Sequence, residues 1–195
     1  MANNMKILLV CGSIAKKSHT RALLMYLEVL LKAKRVETIF WDLLKKPLPI
    51  ALPEYHKNPL DAPDFNVKEF VNYVTESNAL VLGSPLYHGS FSGVLKNALD
   101  NLYYDAFCNK PVALVSNSSS IRNCAHPCEH LRLVVRTLYG YALQSQIGTS
   151  SEDYEEKETE FVLSNKDIQE RCKRMIDELI ELTTAIQSHD ISKED

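Results

Sequence analysis

The sequence lacks a surplus of charge of either sign, and it lacks long apolar runs. Its 22 Lys and Arg residues face 25 Asp and Glu residues, which gives a formal net charge of −3. This balance provides no basic footprint for nucleic acid or for an anionic membrane surface. No apolar run approaches the roughly 20 residues that span a bilayer. We therefore expect a cytoplasmic protein that binds neither nucleic acid nor membrane, and whose partner is a small molecule or another protein.

The sequence also lacks a regular cysteine pattern, since its five cysteines are scattered at positions 11, 108, 124, 128 and 172. An odd number without regular spacing disfavours a disulfide framework and favours reduced thiols. No shift in composition separates one part of the chain from another, and 195 residues suffice for one well-buried core. We therefore expect a single domain over residues 1–195.

Apolar patterning predicts strands and helices in strict alternation. Segments rich in apolar residues, the first of them continuous, predict strands near residues 5–12, 35–43, 79–82, 110–118 and 141–149. Apolar residues at intervals of three and four predict helices near residues 18–34, 67–76, 94–102, 127–139 and 166–187, the last capped by Ser164 or Asn165. Residues 43–64 contain five of the eight prolines and are expected to form a long irregular excursion.

Five strands that alternate with helices imply a parallel sheet covered on both faces. Right-handed crossovers make such a sheet doubly wound. We therefore predict an α/β fold with a flavodoxin-like, doubly wound, five-stranded parallel sheet of order 2-1-3-4-5. Ligands of such sheets bind beyond the carboxyl ends of the strands, where the strand order reverses. The loops that follow the first, third and fourth strands are the candidate site.

The first of these loops, "GSIAKKSHTR" at residues 12–21, is rich in groups that bind phosphate. It offers three hydroxyls, one imidazole and two cations, on Ser13, Ser18, Thr20, His19, Lys16 and Lys17. The free N–H groups of the following helix add a dipole that favours an anion. Ser18 as an ordinary helix N-cap explains the same residues, and the two interpretations are compatible. A Walker loop is excluded because position 17 is Lys rather than Gly, and a dinucleotide fingerprint lacks its second and third glycines.

The second loop lies within "GSPLYHGSFSGVLKNALDNL", residues 83–102, between a predicted strand and a predicted helix. Tyr87 and His88 place a flat ring and a hydrogen-bonding ring there, which suits a planar ligand, although a plain strand-to-helix turn is the simpler alternative. Phe91 occupies the place of the serine in a G-x-S-x-G elbow, which counts against a hydrolase. A ligand with a phosphate at one end and a flat ring at the other would span the first two loops, as flavin mononucleotide (FMN) does.

The third loop, "SNSSSIRNCAHPCEHLR" at residues 116–132, offers hydroxyls and amides for the polar edge of a ring. It also contains Cys124, His126, Cys128 and His130. A zinc site is disfavoured because four ligands within seven residues are too cramped to close a tetrahedron. Pro127 is expected in the first turn of a helix, which would place Cys128 there too, most simply as a structural thiol.

Residues 83–102 resemble the G-S-P-x-Y-x-G-S-x-x-G-x-L-K-N-A-x-D signature of the NADPH-dependent FMN reductase family. That family has the flavodoxin-like fold and includes FMN, quinone, azo-dye and chromate reductases. Residues 12–21 resemble its G-S-x-R-x-x-S phosphate loop, and the order of elements is similar over about residues 5–182. The resemblance implies FMN as cofactor and NADPH or NADH as hydride donor.

The resemblance also assigns residues. The FMN phosphate would be bound by Ser13, Ser18, Thr20 and His19. The isoalloxazine would be lined by Pro85, Leu86, Tyr87 and His88, with Gly89 allowing a close backbone approach. For its polar edge the hydroxyls and amide of the third loop, rather than the resemblance, suggest Ser116, Asn117 and Ser119. Two features depart from the family. Its phosphate-loop arginine is replaced by Ala15, so Lys16 or Lys17 is expected to supply the charge, and the glycine-rich third loop is replaced by "SNSSSIRN".

The resulting hypothesis is an oxidoreductase in which hydride passes from the nicotinamide to FMN and then to a small acceptor: a flavin, a quinone, an azo compound or a metal oxyanion. The cofactor carries this chemistry, so no side chain is assigned as catalytic, and no metal is expected. Three alternatives remain: a tailoring oxidoreductase of a biosynthetic pathway, a flavodoxin-type electron carrier, and a binding module without FMN. The resemblance further implies a homodimer or homotetramer, with the helix that carries Lys96, Asn97 and Asp100 at the interface.

Overall fold

The computed structural model describes residues 5–191, and it contains a five-stranded parallel sheet. The remaining ends of the predicted domain, residues 1–4 and 192–195, lie outside the described residues. The strands are β1 (Lys6–Cys11), β2 (Glu37–Asp42), β3 (Ala79–Pro85), β4 (Pro111–Ser118) and β5 (Tyr141–Ser150). Their order in the sheet is β2-β1-β3-β4-β5, and every neighbouring pair is parallel. The predicted flavodoxin-like fold and strand order are confirmed.

Five helices cover the two faces of this sheet. They are α1 (His19–Ala33), α2 (Phe65–Glu76), α3 (Gly93–Asp100), α4 (His126–Thr137) and α5 (Lys166–Ile191). Helices α1 and α5 share one hydrophobic core, and α2, α3 and α4 share the other. The side chains of β1 alternate between the two cores, with Ile7 and Leu9 on the α1 side and Leu8 and Val10 on the opposite side. Strand β1 is therefore buried on both faces, which explains its continuous apolar sequence.

Side chains of the preceding residues mark where several helices begin. Ser18 Oγ accepts a hydrogen bond from Arg21 N at 3.2 Å, which confirms Ser18 as the N-cap of α1. Of the two residues predicted to cap α5, Asn165 is the one that does so, because its Oδ1 accepts from Asp167 N at 3.0 Å. These caps satisfy N–H groups that no carbonyl of the helix can reach.

The proline-containing segment between β2 and α2 is irregular, as expected, apart from two short 3₁₀ helices at Pro53–Tyr55 and Pro59–Asp61. The side chain of Asn97 fastens the first part of this segment to α3. Asn97 Oδ1 accepts from Ala51 N at 3.0 Å, and Asn97 Nδ2 donates to Pro49 O at 2.8 Å. The segment is thereby held beside the carboxyl edge of the sheet.

A two-stranded antiparallel hairpin, β6 (Tyr154–Glu156) and β7 (Phe161–Leu163), follows β5 and was not predicted from the sequence. It packs on the start of α1, and the side chains of Tyr154 and Leu163 belong to the α1 core. The hairpin therefore borders the same end of the sheet as the candidate site. No helix within residues 5–191 combines the length and apolar character needed to cross a membrane.

Candidate active site

The three loops predicted to form the site meet at the carboxyl edge of the sheet. Cys11 pairs with Gly83 in the β1–β3 ladder, and Ser84 pairs with Ser116 in the β3–β4 ladder. Just beyond β1, Gly12 N donates to Gly83 O at 2.8 Å. A Cβ on Gly12 would lie 2.8 Å from that carbonyl oxygen and 2.9 Å from Leu95 Cβ. Any side chain at position 12 would therefore force a shift of the neighbouring backbone or of α3.

We call residues 12–18, between β1 and α1, the phosphate loop. Ser13, Ser18 and Thr20 are all buried at its inner side. Ser18 Oγ donates to Ser13 Oγ at 2.9 Å, so the two hydroxyls lie side by side. Within the described chain, no hydrogen bond uses the backbone N–H groups of Ser13 to Thr20. Adjacent hydroxyls and free N–H groups at a helix N-terminus are the donor set that binds a phosphate dianion, so the residues fit the phosphate of FMN.

The cationic side chains of this loop face outward. Lys17 Nζ lies 2.6 Å from Glu156 Oε1 and 2.6 Å from Lys157 O, both on the β6–β7 hairpin. Lys16 is exposed and makes no ion pair with another described residue. Lys17 is thus already paired with the hairpin. Neither lysine side chain lies beside the buried hydroxyls in the structure.

The side chain of His19 is stacked against the hairpin. Its ring lies 3.7 Å from that of Phe161, nearly parallel, and 4.8 Å from that of Tyr154. Burial lowers the pKa of His19 from its ordinary value of 6.5, although the nearby charge of Glu156 acts in the opposite direction. At neutral pH the imidazole is therefore uncharged, and any contribution to phosphate binding is a hydrogen bond rather than a salt bridge.

The second loop forms a tight two-residue turn, Tyr87–Ser90, which we call the ring turn. The N–H of Tyr87 donates to Ser90 O at 2.9 Å, and the N–H of Ser90 donates back to Tyr87 O at 3.0 Å. His88 and Gly89, at φ values of 49° and 82°, have the left-handed backbone of a type I′ turn. Glycine is thus required at position 89 by the turn, and a Cβ there would meet nothing within 4 Å.

The side chains of the ring turn face solvent. Tyr87 is 48% exposed, and His88 and Gly89 are exposed as well, whereas Pro85 and Leu86 are half-buried. Besides its own backbone bonds, the turn makes a 2.8 Å hydrogen bond between Ser90 Oγ and His130 Nδ1 of α4. The turn offers an open wall for a flat ring rather than a closed pocket.

The third loop begins with buried side chains that are already hydrogen-bonded. Ser116 Oγ donates to Cys124 O, and Asn117 Nδ2 donates to Thr149 Oγ1 at 3.1 Å. Asn117 O accepts from Leu86 N at 2.8 Å, which ties this loop to the second one. Ser119, by contrast, is exposed. Of the three residues predicted for the polar edge of the ring, only Ser119 keeps its side chain free toward solvent.

The thiols and imidazoles of the third loop do not form a metal centre in the structure. Within residues 5–191, no three His, Cys, Asp or Glu side chains come close enough together to hold an ion. Burial raises the pKa of Cys128 to about 12, and burial also raises the pKa of Cys124. Both are thiols rather than thiolates at neutral pH, as expected of structural cysteines.

Two parts of the site were not predicted from the sequence. One is the β6–β7 hairpin, whose Glu156 and Phe161 contact the phosphate loop and His19. The other is an ion pair between Arg21, in the first turn of α1, and Asp42, at the end of β2, with Nε and Oδ2 separated by 2.8 Å. The apolar run "FVL" is a weak strand signal for the hairpin, but no local pattern predicts the ion pair.

Comparison of the sequence with known proteins identifies a family. The model of the NADPH-dependent FMN reductase family matches residues 5–154. An FMN-dependent NADPH-azoreductase of Staphylococcus aureus is 37% identical over 177 residues, which cover 90% of this chain and 94% of that protein.

Solved structures share the fold. FerB of Paracoccus denitrificans, a flavoenzyme NAD(P)H:acceptor oxidoreductase, superposes with a TM-score of 0.72 at 19% identity, covering 95% of this chain and 98% of that one. An NADH:FMN oxidoreductase gives a TM-score of 0.70 at 19% identity, covering 93% and 89%. The family match and the azoreductase relative agree with the phosphate loop and the ring turn, and the chain accordingly belongs to the NADPH-dependent FMN reductase family, as an oxidoreductase that works with FMN and NADPH.

Proposed function

We propose that this chain passes reducing equivalents from NADPH, through FMN held at the three loops, to a small acceptor. The observation that carries the proposal is the juxtaposition of a phosphate loop and a ring turn at neighbouring strand ends, joined by the 2.8 Å hydrogen bond from Gly12 N to Gly83 O. Azo compounds are the first acceptors to test, since the Staphylococcus aureus relative is named an azoreductase. Quinones, free flavin and metal oxyanions are further candidates.

We assign the FMN phosphate to the buried side of the phosphate loop. The hydroxyls of Ser13, Ser18 and Thr20 and the free N–H groups from Ser13 to Thr20 supply its hydrogen bonds. These groups are neutral, and the helix dipole adds to their attraction for the dianion. His19 contributes as an uncharged ring. Lys16 and Lys17 act from the outer side of the loop, where solvent screens their charge.

We assign the isoalloxazine to the ring turn and the third loop. Pro85, Leu86, Tyr87, His88 and Gly89 provide the wall along the ring. The polar edge faces the start of the third loop, where Ser119 offers its hydroxyl, whereas Ser116 and Asn117 are buried within β4. When bound, FMN supplies the hydride and electron transfer chemistry. The chain's part is to orient the ring and to leave one side open for the nicotinamide and the acceptor in turn, so no side chain is assigned as acid or base.

The assembly that we propose is a homodimer or homotetramer in the cytoplasm, with α3 at the interface. Leu95, Ala98 and Leu99 face the core, which leaves Lys96 and Asp100 outward, paired with each other at 2.5 Å. Beyond the helix lies a surface of aromatic rings from Tyr103, Tyr104 and Tyr139. Exposed aromatic side chains of this size favour burial against another chain. Sedimentation of the FMN-loaded protein tests this; a strict monomer would contradict it.

The function is tested by anaerobic reduction. The purified chain is loaded with FMN, and NADPH or NADH is added while the absorbance of the oxidised flavin is followed; candidate acceptors are then mixed with the reduced protein. We expect faster reduction by NADPH than by NADH, and reoxidation by an azo compound. Reduction by neither nucleotide, with FMN bound, would favour the electron carrier instead. A folded chain without affinity for FMN would contradict the proposed function altogether.

A further inference from the structure

The side chain of Arg21 folds back from α1 beneath the phosphate loop and binds three of its carbonyl groups. Nη1 donates to Ala15 O at 2.8 Å and to Lys16 O at 3.2 Å, and Nη2 donates to Ser13 O at 3.0 Å. The side chain is 13% exposed, so it lies largely within the protein rather than in solvent.

Asp42 holds the guanidinium in this orientation. Arg21 Nε donates to Asp42 Oδ2 at 2.8 Å, and Arg21 Nη2 donates to Asp42 Oδ1 at 3.1 Å, which is a two-point pairing. The carboxylate is itself 6% exposed and also accepts from Leu44 N at 3.0 Å. These two bonds and the three to loop carbonyls use all five N–H donors of the guanidinium. Arg21 therefore has no donor left for a ligand.

The direction of a carbonyl group also determines the direction of the N–H group in the same peptide unit. In a trans peptide the C=O of one residue and the N–H of the next point in opposite directions. Carbonyls of Ser13, Ala15 and Lys16 that point toward Arg21 therefore turn the N–H groups of Ile14, Lys16 and Lys17 away from it. None of these three N–H groups donates to any other group within residues 5–191. They are free to bind an anion on the far side of the loop.

We propose that Arg21 and Asp42 form a positioning pair, which orients the N–H groups of the phosphate loop toward the phosphate of FMN without touching it. This inference rests on the proposed function, because it presumes that the phosphate binds at this loop. The same pair also accounts for the conformation of the phosphate loop in this chain, in which residue 15 is alanine. The guanidinium acts through geometry, with its five hydrogen bonds, rather than through its charge, which Asp42 neutralises.

The test compares FMN with riboflavin, which has the same ring but no phosphate. Arg21→Lys keeps the positive charge but loses the planar five-donor fork. We expect this variant to bind FMN at least about tenfold more weakly, while riboflavin affinity stays within about twofold of wild type. Asp42→Asn weakens the pairing with the guanidinium at nearly constant shape, so it should weaken FMN binding by a smaller factor and likewise leave riboflavin affinity within about twofold of wild type. Fluorescence titration of both ligands gives all of these dissociation constants.

The control variant is Lys34→Ala, which removes a positive charge and an ion pair to Asp177 at the far end of α1. It should leave both affinities unchanged. Wild-type FMN affinity in Arg21→Lys would overturn the positioning role, and so would an equal loss of FMN and riboflavin, which would indicate a general structural defect. Should Arg21→Lys fail to fold, the same comparison in Asp42→Asn decides. If wild-type protein binds the two ligands equally, the proposed phosphate site itself is wrong, which is a distinguishable result.

Discussion

The phosphate loop and the ring turn lie at neighbouring strand ends, yet they are built in opposite ways. Three sets of contacts hold the phosphate loop. Arg21 hydrogen-bonds its carbonyl groups, Lys17 ties it to the hairpin, and Ser18 at its end caps α1. The ring turn consists of two left-handed residues closed by its own backbone, with Tyr87 48% exposed above it. One region is fixed by long-range contacts and the other by local conformation.

The difference separates two tasks of the site. A phosphate has the same shape in every FMN molecule, so a rigid set of donors loses no free energy to rearrangement on binding. The ring, by contrast, must remain accessible to a nicotinamide and then to an acceptor. We infer that the phosphate loop contributes affinity and the ring turn contributes access. Changes in the first region should distinguish FMN from riboflavin, and changes in the second should not.

The largest expected effect comes from the position that joins the two regions. In Gly12→Ala the new Cβ would meet Gly83 O at 2.8 Å and Leu95 Cβ at 2.9 Å, neither of which is the end of a flexible side chain. We expect the free energy of unfolding to fall by about 1–3 kcal/mol, because strand β3 or helix α3 must shift. Urea unfolding followed by fluorescence of the single tryptophan, Trp41, measures it.

Gly93→Ala is the matched control for this change. A Cβ on Gly93, the first residue of α3, meets nothing within 4 Å. We expect its stability to remain within about 0.5 kcal/mol of wild type. If Gly12→Ala is as stable as Gly93→Ala, the close approach of the two loops is not as the structure has it.

The next effect concerns the ring turn alone. Gly89→Val places a β-branched residue at a φ of 82°, which costs on the order of 1–3 kcal/mol even though the space around it is open. A turn displaced by this strain should weaken FMN and riboflavin alike, by about tenfold. Parallel titrations of the two ligands check this. A loss confined to FMN would show that the ring turn serves the phosphate, and the division between the two regions would then be wrong.

A smaller effect is expected at the outer side of the phosphate loop. The Lys16→Ala/Lys17→Ala double variant removes both cations, of which Lys17 is shared with Glu156. We expect FMN affinity to fall by up to about tenfold at low salt and by less at physiological salt, since exposed charges are screened. Riboflavin should be unaffected. An unchanged FMN affinity at both salt concentrations would mean that hydroxyls, N–H groups and the helix dipole hold the phosphate unaided.

The smallest effect is a pH dependence at His19. Its pKa lies below 6.5 because of burial, so between these two values the unfolded chain binds a proton that the folded chain does not. The contribution to stability is therefore constant above pH 6.5 and is lost as the pH falls toward the folded pKa. Nuclear magnetic resonance titration of the His19 ring should give a pKa below 6.5, and His19→Asn should remove this part of the pH dependence. A pKa above 6.5 would contradict the stacking on Phe161.

Much of the fold follows from the sequence because its signals are local. The runs around Ile7–Val10 and Leu80–Leu82 are buried on both faces and therefore continuously apolar. Right-handed crossovers then make the sheet doubly wound, for which 2-1-3-4-5 is one of the common strand orders. The loops of the site follow from where those strands end. The β6–β7 hairpin was missed because each of its strands has three residues and depends on contacts with α1 rather than on its own pattern.

The directions of side chains in the site could not be predicted in the same way. Lys17 appeared to be a phosphate ligand because of its neighbours in sequence, yet its nearest carboxylate, on Glu156, is 139 residues away along the chain. Arg21 appeared to end the loop, and its partner Asp42 lies on a different strand. Gly89 was expected to permit a close approach of the ring, and the structure gives it a second reason in the left-handed turn. Such choices depend on tertiary contacts.

The central claim is that the chain holds FMN by its phosphate at the loop between β1 and α1. Its most direct test is titration of the wild-type protein with FMN and with riboflavin under identical conditions, following flavin fluorescence. We predict about one FMN per chain, bound at micromolar concentration or tighter, and riboflavin bound at least about tenfold more weakly, as expected when the charge-assisted hydrogen bonds of the phosphate are lost. A folded chain that binds neither ligand, or that binds both with the same affinity, would contradict the account.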